Sequence, residues 1–438
     1  MQAAPLAREL NSALEKEAPA VFGLLSETGR RMYFPRGIIS QSAEAKAKAH
    51  RHNATIGIAT EKGIPMHLPS VQRCFNLDPR DVYGYAPTGG KPELREAWRS
   101  KQLEENPRMR GRRLGAPIVT AALTHGLSLL AELFVDPGDP VVLPDKIWGN
   151  YRLAYEVRGR GRIEQFPLFD GAGFHCAAFR EKLATLAERE KKAILILNFP
   201  NNPTGYTPSA EEAESIAAAI AGAAERGLRQ LVIADDAYFG LVYDERCLRE
   251  SIFGYLANLH PNVLAVKLDG ATKEEFAWGF RVGFLTYAAG GPGDLEAVHA
   301  ALEKKTLGAI RAGISNAPHP SQSAILKALG SPTLREERAA KREILRARAA
   351  RLHEVLRKPE YGEAWTPYPF NSGYFMCLRL HGVDAEALRL HLLDAYQVGV
   401  IATEPTDIRI AFSSTEFGDL EDLCDTIYRA WKDLAGKT

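Results

Sequence analysis

The chain has 438 residues, enough for two domains that each bury an apolar core. Hydrophobic residues make up 45% and charged residues 25%, and the formal net charge is +1, which argues against a nucleic-acid or anionic-membrane partner. A small molecule is therefore the expected partner.

The cysteines and the N-terminal segment bear on the cellular compartment. Five cysteines are scattered without CxxC or other metal spacing, so the sequence predicts neither a disulfide framework nor a metal site. The first residues carry charges throughout and are not typical of a secretory signal, and no segment has the roughly 18 consecutive apolar residues of a membrane span. We therefore expect a cytoplasmic protein.

The N-terminal and central parts of the chain show two patterns. Residues 5 to 28 place leucine and valine at helical spacing before Gly29, which predicts one helix packed through one face. From about residue 117 to 290, short apolar runs of strand length alternate with helical stretches such as 209–226. This alternation predicts a mostly parallel sheet covered by helices on both faces.

The C-terminal third has a different pattern. Residues 334–357 form a charged helical run, which is more typical of a solvated helix than of a binding patch. Strands are predicted near residues 373–380 and 408–413. We expect the long helix to link the central sheet to a smaller α+β region.

Ligands of an open parallel sheet bind beyond the carboxyl ends of its strands, so the residues after each apolar run are candidate site residues. AILILNF leads to Asn202, and LVIAD ends on Asp235 and reaches Tyr238. VLAVKLDGAT leads to Lys273, and VVLPDKIWGNY contains Trp148. Each signal alone is weak, since NPTG is a good turn sequence and a strand-end aspartate is often a helix cap. Their occurrence together, in this order, is a strong signal.

Longer stretches around these residues carry a resemblance to a known family. They are YAPTGGKPELREAW (85–98), TAALTHGLSLLAELFVDPGDPVVLPDKIWGNY (120–151), NFPNNPTGY (198–206), IADDAYFGL (233–241), ATKEEFAWGFRVGF (271–284), RAGISNAPHPSQ (311–322) and IRIAF (408–412). On them the chain resembles, over nearly its whole length, the pyridoxal-5′-phosphate (PLP)-dependent aminotransferases of class I/II, the aspartate aminotransferase superfamily of fold type I, and within it the aspartate-type subgroup. The most specific feature is the eight-residue spacing of Lys273 and Arg281, with GFRVG around the arginine.

The resemblance implies an architecture. It is the α/β PLP-dependent transferase fold, with a mostly parallel sheet in a large domain and a smaller α+β domain built from both chain ends. The implied domains are an N-terminal helix with part of the small domain (1–65), a large PLP-binding domain (66–325) and a C-terminal small domain (326–438). A homodimer with shared active sites is also implied.

The resemblance assigns the cofactor chemistry to Lys273, Asp235 and Tyr238. Lys273 would hold PLP as a Schiff base, which requires a pKa lowered by burial or by neighbouring cations. Asp235 would keep the pyridine nitrogen protonated; the family pattern D-x-A-Y selects it over Asp236, which would be structural. A surface lysine is the alternative reading of an isolated TKEE sequence.

Three further residues would contact the cofactor ring. Asn202 and Tyr238 would hydrogen-bond its phenolic oxygen, and Trp148 would stack on the ring. Asn202 and Trp148 would also border the substrate. Ordinary core or strand-end aromatics are the alternative roles for Tyr238 and Trp148.

The phosphate would be held by Thr124, by the amide of Leu123 at a helix start, and by Arg281. Two departures from the family pattern stand out: Ala122 and Leu123 replace small glycines, and Gly270 replaces a serine. One phosphate hydroxyl is therefore missing, and either a water or Thr272 could offset its loss.

Substrate recognition would depend on two arginines. Arg409 would bind the α-carboxylate, and Arg311 would cross the dimer interface to a second carboxylate, which together with the loop at Gly57 favours dicarboxylic substrates. Phe375 would line the pocket, with a core aromatic as its alternative role. Tyr85 would reach the phosphate of the neighbouring subunit, or else belong to a turn.

The sequence thus predicts an aminotransferase that moves an amino group between an amino acid, aspartate or glutamate with an aromatic one as alternative, and a 2-oxo acid by a ping-pong mechanism. A C–S lyase or another eliminating enzyme of the same fold remains open, because it would use the same lysine, aspartate and arginine. A non-catalytic regulator of this fold is the third reading, although no basic recognition helix is evident. A nicotinamide enzyme is disfavoured, because no GxGxxG joins a strand to a helix.

Overall fold

The structure is a computed structural model that describes residues 4–35 and 37–436; residues 1–3, 437 and 438, which belong to the predicted terminal domains, and Arg36 lie outside the described part. The helices are α1 (Pro5–Glu17), α2 (Pro19–Leu24), α3 (Glu27–Arg31), α4 (Ile38–Lys48), α5 (Pro69–Gln72), α6 (Pro92–Glu105), α7 (Ala122–Phe134), α8 (Cys176–Arg189), α9 (Ala210–Glu225), α10 (Phe253–Leu256), α11 (Ala271–Glu274), α12 (Leu295–Gly313), α13 (His319–Leu329), α14 (Leu334–Val355), α15 (Ala385–Tyr396) and α16 (Leu420–Ala435). The strands are β1 (His52–Asn53), β2 (Thr60–Glu61), β3 (Ile64–Pro65), β4 (Ile118–Thr120), β5 (Pro140–Pro144), β6 (Arg162–Phe166), β7 (Phe169–Asp170), β8 (Gly173–Phe174), β9 (Lys192–Asn198), β10 (Arg229–Asp235), β11 (Val263–Gly270), β12 (Gly283–Ala289), β13 (Trp365–Pro367), β14 (Phe375–Leu380), β15 (Val398–Gly399), β16 (Ile401–Glu404) and β17 (Asp407–Ala411).

A seven-stranded sheet forms the centre of the molecule, in the order β4-β12-β11-β10-β9-β5-β6. β12 runs antiparallel to both of its neighbours, and the other pairs are parallel. Along β9, Ile194 and Ile196 face one apolar core while Leu195 and Leu197 face another. Because both faces are covered, the strands are apolar throughout rather than alternating, and the predicted α/β fold is confirmed.

A second, antiparallel sheet lies in the C-terminal part, in the order β13-β14-β17-β16. Its core, with α14, α15 and α16, includes Ala54 from the N-terminal part of the chain. β1 also pairs in parallel with β15, His52 opposite Val398. Both chain ends therefore contribute to the smaller α+β unit, as expected, while the exact domain boundaries stay a prediction.

The N-terminal prediction of one helix over residues 5 to 28 is wrong. The segment forms three short helices, because Pro19 lacks a backbone donor and disfavours a helical conformation for Ala18, whose φ and ψ are −149° and 66°. Its apolar face is also poorly covered within the protomer, with Leu10 and Val21 about half exposed. Gly29 lies inside α3 and does not end the helix.

Strand register brings the candidate residues together. Asp235, the last residue of β10, lies opposite Asn198 at the end of β9 and opposite Leu268 of β11. Lys273 follows β11 by three residues, in α11. Within the described part of the chain, no helix combines the length and apolar composition needed to cross a bilayer.

Candidate active site

Lys273 lies directly beyond the carboxyl end of the sheet. Its amine is 4.8 Å from the ring centroid of Tyr238, and its carbonyl accepts a hydrogen bond from the hydroxyl of Tyr374 at 3.3 Å. Burial lowers the pKa of Lys273 to about 8, and nearby Arg281 adds to this shift while Asp235 opposes it. The uncharged fraction of the amine near neutral pH is therefore much larger than for a lysine of ordinary pKa, as a nucleophilic lysine requires.

Asp235 is buried and accepts two hydrogen bonds. The hydroxyl of Tyr151 donates to Oδ2 at 2.6 Å, and the backbone amide of Ala237 donates to Oδ1 at 3.1 Å. Burial raises the pKa of Asp235, while the Tyr151 hydroxyl, the Lys273 amine and the Ala237 amide act in the opposite direction. The protein thus holds a carboxylate where it can support a protonated ring nitrogen.

The neighbouring carboxylate, Asp236, has different surroundings. It forms a buried ion pair with Lys267 and accepts a hydrogen bond from Ser251 at 2.6 Å. Lys267 also lies 3.3 Å from Asp269, so one lysine compensates two carboxylates inside the large unit. Asp236 is therefore engaged in a separate buried network, in keeping with the structural role predicted for it.

Arg409 is 1% exposed and held from three sides. Its Nη1 donates to Asn202 at 3.0 Å, its Nη2 donates to the carbonyl of Thr55 at 3.2 Å, and the guanidinium lies 4.0 Å from the ring centroid of Phe375. Nε has no hydrogen-bond partner among the described residues. The guanidinium is therefore oriented by the protein and keeps a donor for a ligand carboxylate.

Tyr238 lies between the lysine and the arginine. Its ring packs edge-on against Phe375, with centroids 5.7 Å apart, and the amine of Lys273 lies over the same ring. Burial raises the pKa of Tyr238, while the positive charge of Arg409 opposes this. Lys273, Tyr238, Phe375, Arg409 and Asn202 thus form one continuous group.

The residues predicted to hold a phosphate lie around the start of α7. The turn that carries Arg281 packs against this helix start at Gly283. The contact is close, since a Cβ on Gly283 would lie 2.7 Å from the carbonyl carbon of Ala122 and 3.0 Å from the amide nitrogen of Leu123. Thr124 and Arg281 are exposed, and the first amides of α7 have no partner within the helix. Ala122 has φ 65°, a left-handed conformation that costs an L-residue roughly 1 kcal/mol and that glycine would adopt freely.

The close packing around Gly270 explains why this position has no side chain to supply a hydroxyl to the phosphate. A Cβ at this position would lie 2.6 Å from the carbonyl oxygen of Val282, 2.8 Å from the Cα of Gly283 and 3.1 Å from Cδ1 of Leu123. A serine therefore cannot fit without a backbone shift. Thr272, the expected substitute, has a buried hydroxyl with no hydrogen-bond partner among the described residues.

Four predicted residues lie at the edge of this group or away from it. Trp148 is half-buried and packs edge-on against Tyr151, with centroids 5.6 Å apart. Gly57 is exposed, two residues after the Thr55 carbonyl that binds Arg409. Tyr85 is 93% exposed and Arg311 is exposed; within the described residues, neither has a hydrogen bond or ion pair to the buried group.

Two residues were missed from the sequence. Tyr151 ends the WGNY stretch, three residues after Trp148, and its spacing on a helical turn could have indicated a shared face. Thr55 acts only through its carbonyl oxygen, which has no side-chain signature.

These groups fit PLP. One edge of the sheet carries a buried carboxylate, an amine with a lowered pKa and a helix start suited to an anion. Because Gly270 and Gly283 have no side chain, the ends of β11 and β12 can pack closely against that helix start. Lys273 would hold the cofactor, Asp235 its ring nitrogen, and the start of α7 with Arg281 its phosphate.

Comparisons with known proteins find aminotransferases among the proteins similar to this chain. The chain is 29% identical over 273 residues to the aspartate aminotransferase of Streptomyces avermitilis, covering 59% of this chain and 62% of that protein. The chain spans about half the length of the curated relatives it matches. Among solved structures, an aminotransferase from Anaerococcus prevotii superposes with a TM-score of 0.81 at 21% identity, covering 93% of this chain and 99% of that one. The aspartate aminotransferase from Thermus thermophilus with maleate gives a TM-score of 0.74 at 21% identity, with the same coverages.

The family assignment rests on a longer match. Residues 60–427 match the family described as aminotransferase class I and II, which covers most of the chain and every predicted site residue except Gly57. This chain therefore belongs to the class I and II aminotransferase family, whose members depend on PLP.

Proposed function

We propose that this protein is an aminotransferase that moves an amino group between an amino acid and a 2-oxo acid in a ping-pong reaction. The observation that carries the proposal is one continuous buried group, in which the rings of Tyr238 and Phe375 connect the Lys273 amine, with its lowered pKa, to the preoriented guanidinium of Arg409. When bound, PLP supplies an electron sink for negative charge at the substrate Cα.

The protein's own residues divide the remaining work. The Lys273 amine, half uncharged near pH 8, accepts the Cα proton of the substrate and returns a proton during the exchange. Asp235 supplies a buried negative charge, and the hydroxyl of Tyr151 donates a hydrogen bond that keeps this carboxylate in position. Because this arrangement exists before substrate binds, little reorganisation is needed during the reaction.

Arg409 would bind the α-carboxylate of the substrate. The unpartnered Nε and the two held Nη atoms present a planar, prepositioned fork, and such a charge-assisted pair contributes about 1.5–3 kcal/mol. The ring of Phe375 under the guanidinium prevents it from turning away. Phe375 thus acts by supporting Arg409.

We further propose a homodimer that acts on dicarboxylic substrates, aspartate or glutamate. Tyr83, Tyr85 and Phe75 are 85%, 93% and 70% exposed in the protomer, an aromatic surface that is unusual for a free monomer. The exposed Arg311, on the last turn of α12, would supply a guanidinium to the neighbouring site. The relatives named as aspartate aminotransferases support the same substrate class.

A visible absorption spectrum, taken before and after addition of L-aspartate or of L-tyrosine, tests the proposal. The wild type should show a cofactor band that L-aspartate shifts to the pyridoxamine form, and Lys273→Ala should lack the original band. In Arg311→Ala the L-aspartate response should weaken about tenfold or more, while the L-tyrosine response stays within about twofold.

Other outcomes select other functions. Equal weakening for both amino acids would show that Arg311 is structural. Release of a thiol, pyruvate and ammonia from an amino acid with sulfur on Cβ, without a 2-oxo acid acceptor, would identify an eliminating enzyme. A protein without any band after PLP addition would not be a PLP enzyme.

A further inference from the structure

A polar cavity lies away from the residues proposed for catalysis. Its volume is about 590 Å³, and it is enclosed by α14, the segment after β10 and the segment that follows Lys273. Among the described residues, four arginines and three glutamates line it. None of Lys273, Asp235 and Arg409 is part of its wall.

Three of the arginines come from one face of α14. Arg338, Arg342 and Arg346 are spaced four residues apart, so their side chains lie above one another along the helix. Arg249 faces them from the segment after β10. The Nη2 of Arg342 lies 3.9 Å from the position that a Cβ on Gly240 would take, so this guanidinium reaches across the opening.

The floor of the cavity is close to neutral. Lys101 and Arg338 pair with three carboxyl groups, Glu105, Glu274 and Glu275, and burial raises the pKa of Glu274 to about 8. Oε1 of Glu274 and Nε of Arg338 are buried and have no hydrogen-bond partner among the described residues. The floor thus adds no strong charge of its own to the cavity.

The rim carries positive charge that is available to a ligand. Within the described residues Arg342 has no ion pair, and Arg346 and Arg249 pair only with exposed glutamates, Glu343 at 2.6 Å and Glu245 at 3.5 Å. Exposed ion pairs of this kind contribute little stabilisation, so the guanidinium groups can leave these glutamates and bind an anion of higher charge. Arginine is suited to planar, bidentate contacts with phosphate and carboxylate groups.

We propose that this cavity is a second binding site, separate from the catalytic one, for a small anion that carries two or more negative charges. A phosphorylated compound and a polycarboxylate share this chemistry. The site does not depend on the proposed reaction. Its wall includes Glu274, which follows Lys273 in the chain, so the site adjoins the segment that holds the catalytic lysine.

Titration calorimetry on the PLP-saturated protein tests this site, with inorganic pyrophosphate and citrate as the two probes. Saturation with PLP keeps the probes out of the phosphate site at α7. At least one probe should bind, and Arg342→Gln with Arg346→Gln should weaken that binding on the order of tenfold or more. The matched control is Arg335→Gln, an exposed arginine of the same helix that pairs with Glu104 outside the cavity and should change affinity less than about twofold.

The two probes also identify the class of ligand. Binding of pyrophosphate alone indicates a phosphorylated compound, and binding of citrate alone indicates a polycarboxylate. The proposal is overturned if neither probe binds, if the double variant binds as tightly as the wild type, or if Arg335→Gln weakens binding as much as the double variant does. Because binding is measured without turnover, a failure here is distinct from a failure of the aminotransferase proposal.

Discussion

The hydroxyl of Tyr151 donates to Asp235 at 2.6 Å, and both side chains are buried. Burial alone favours the neutral form of Asp235, which could not keep a ring nitrogen protonated. The Tyr151 hydroxyl offsets part of that effect by stabilising the carboxylate. We therefore regard Tyr151 as a positioning residue that acts through Asp235.

Replacement of Tyr151 by phenylalanine should lower kcat/KM by about 10- to 100-fold, because a hydrogen bond to a charged group contributes about 1.5–3 kcal/mol. The pH profile of kcat should shift to higher pH on its acidic side, since the pKa of Asp235 rises when the donor is lost. Tyr155→Phe is the matched control, because this hydroxyl is equally buried and has no hydrogen-bond partner among the described residues. Equal effects of the two variants would show that Tyr151 only fills space.

The lowered pKa of Lys273 predicts a pH dependence. Below pH 8 the amine is mostly protonated and cannot attack an aldehyde; above pH 8 it is mostly neutral. The rate at which the apoprotein covalently attaches added PLP should therefore rise about tenfold per pH unit below 8 and level off above it. Rapid-mixing absorbance measurements can follow this, and a rate still rising at pH 10 would indicate a lysine of ordinary pKa.

The end of β11 is determined by backbone packing. Gly270 pairs with Gly283 of β12, and both glycines lie against the start of α7. The Leu123 side chain fills the space beside Gly270. The leucine in place of a small glycine and the glycine in place of a serine, both departures from the family pattern, therefore lie in contact with each other. The strand end, the Arg281 turn and the helix start are thereby fixed relative to one another.

Gly270→Ser should destabilise the protein by about 1–3 kcal/mol and should not strengthen PLP binding, although it introduces the hydroxyl that the family pattern implies. The reason is the 2.6 Å approach to the Val282 carbonyl oxygen. Denaturant unfolding and PLP titration measure the two quantities. Gly308→Ser is the control, because a Cβ there meets no atom within 4 Å; tighter PLP binding by Gly270→Ser would contradict the packing argument.

The complete site is proposed to need two copies of the chain. Within one protomer the buried group is assembled, but Tyr85 and Arg311 remain exposed without a bond to it among the described residues. The aromatic surface at residues 75–85 and the poorly covered N-terminal helices leave apolar area for a partner. A shared site would make activity depend on assembly.

Mixing two defective variants tests the sharing of sites. Tyr85→Ala and Lys273→Ala, unfolded together and refolded, should regain about a quarter of the wild-type sites if Tyr85 acts in the neighbouring subunit, because half of the dimers are mixed and each has one intact site. Each variant refolded alone is the control. If Tyr85 acts within its own subunit, no mixture regains activity beyond the sum of the two variants.

The sequence by itself determined the sheet, its helices and the order of the polar residues at strand ends, because apolar periodicity and turn residues are local signals. It placed Asn202, Asp235 and Lys273 at one edge of the sheet, since parallel strands end on the same side. It also identified the family, through the spacing of Lys273 and Arg281.

Tertiary structure decided what depends on contacts between distant segments. The Tyr151 hydrogen bond to Asp235 joins residues 84 positions apart, and the Thr55 carbonyl meets Arg409 across 354 positions. The intolerance of Gly270 for a side chain arises from strand pairing and from Leu123, which no local pattern reveals. In the N-terminal segment, Pro19 is a local signal for a helix break, but the apolar spacing continues across it and is typical of a single helix. Only the tertiary structure shows that the apolar face of this segment is poorly covered within the protomer.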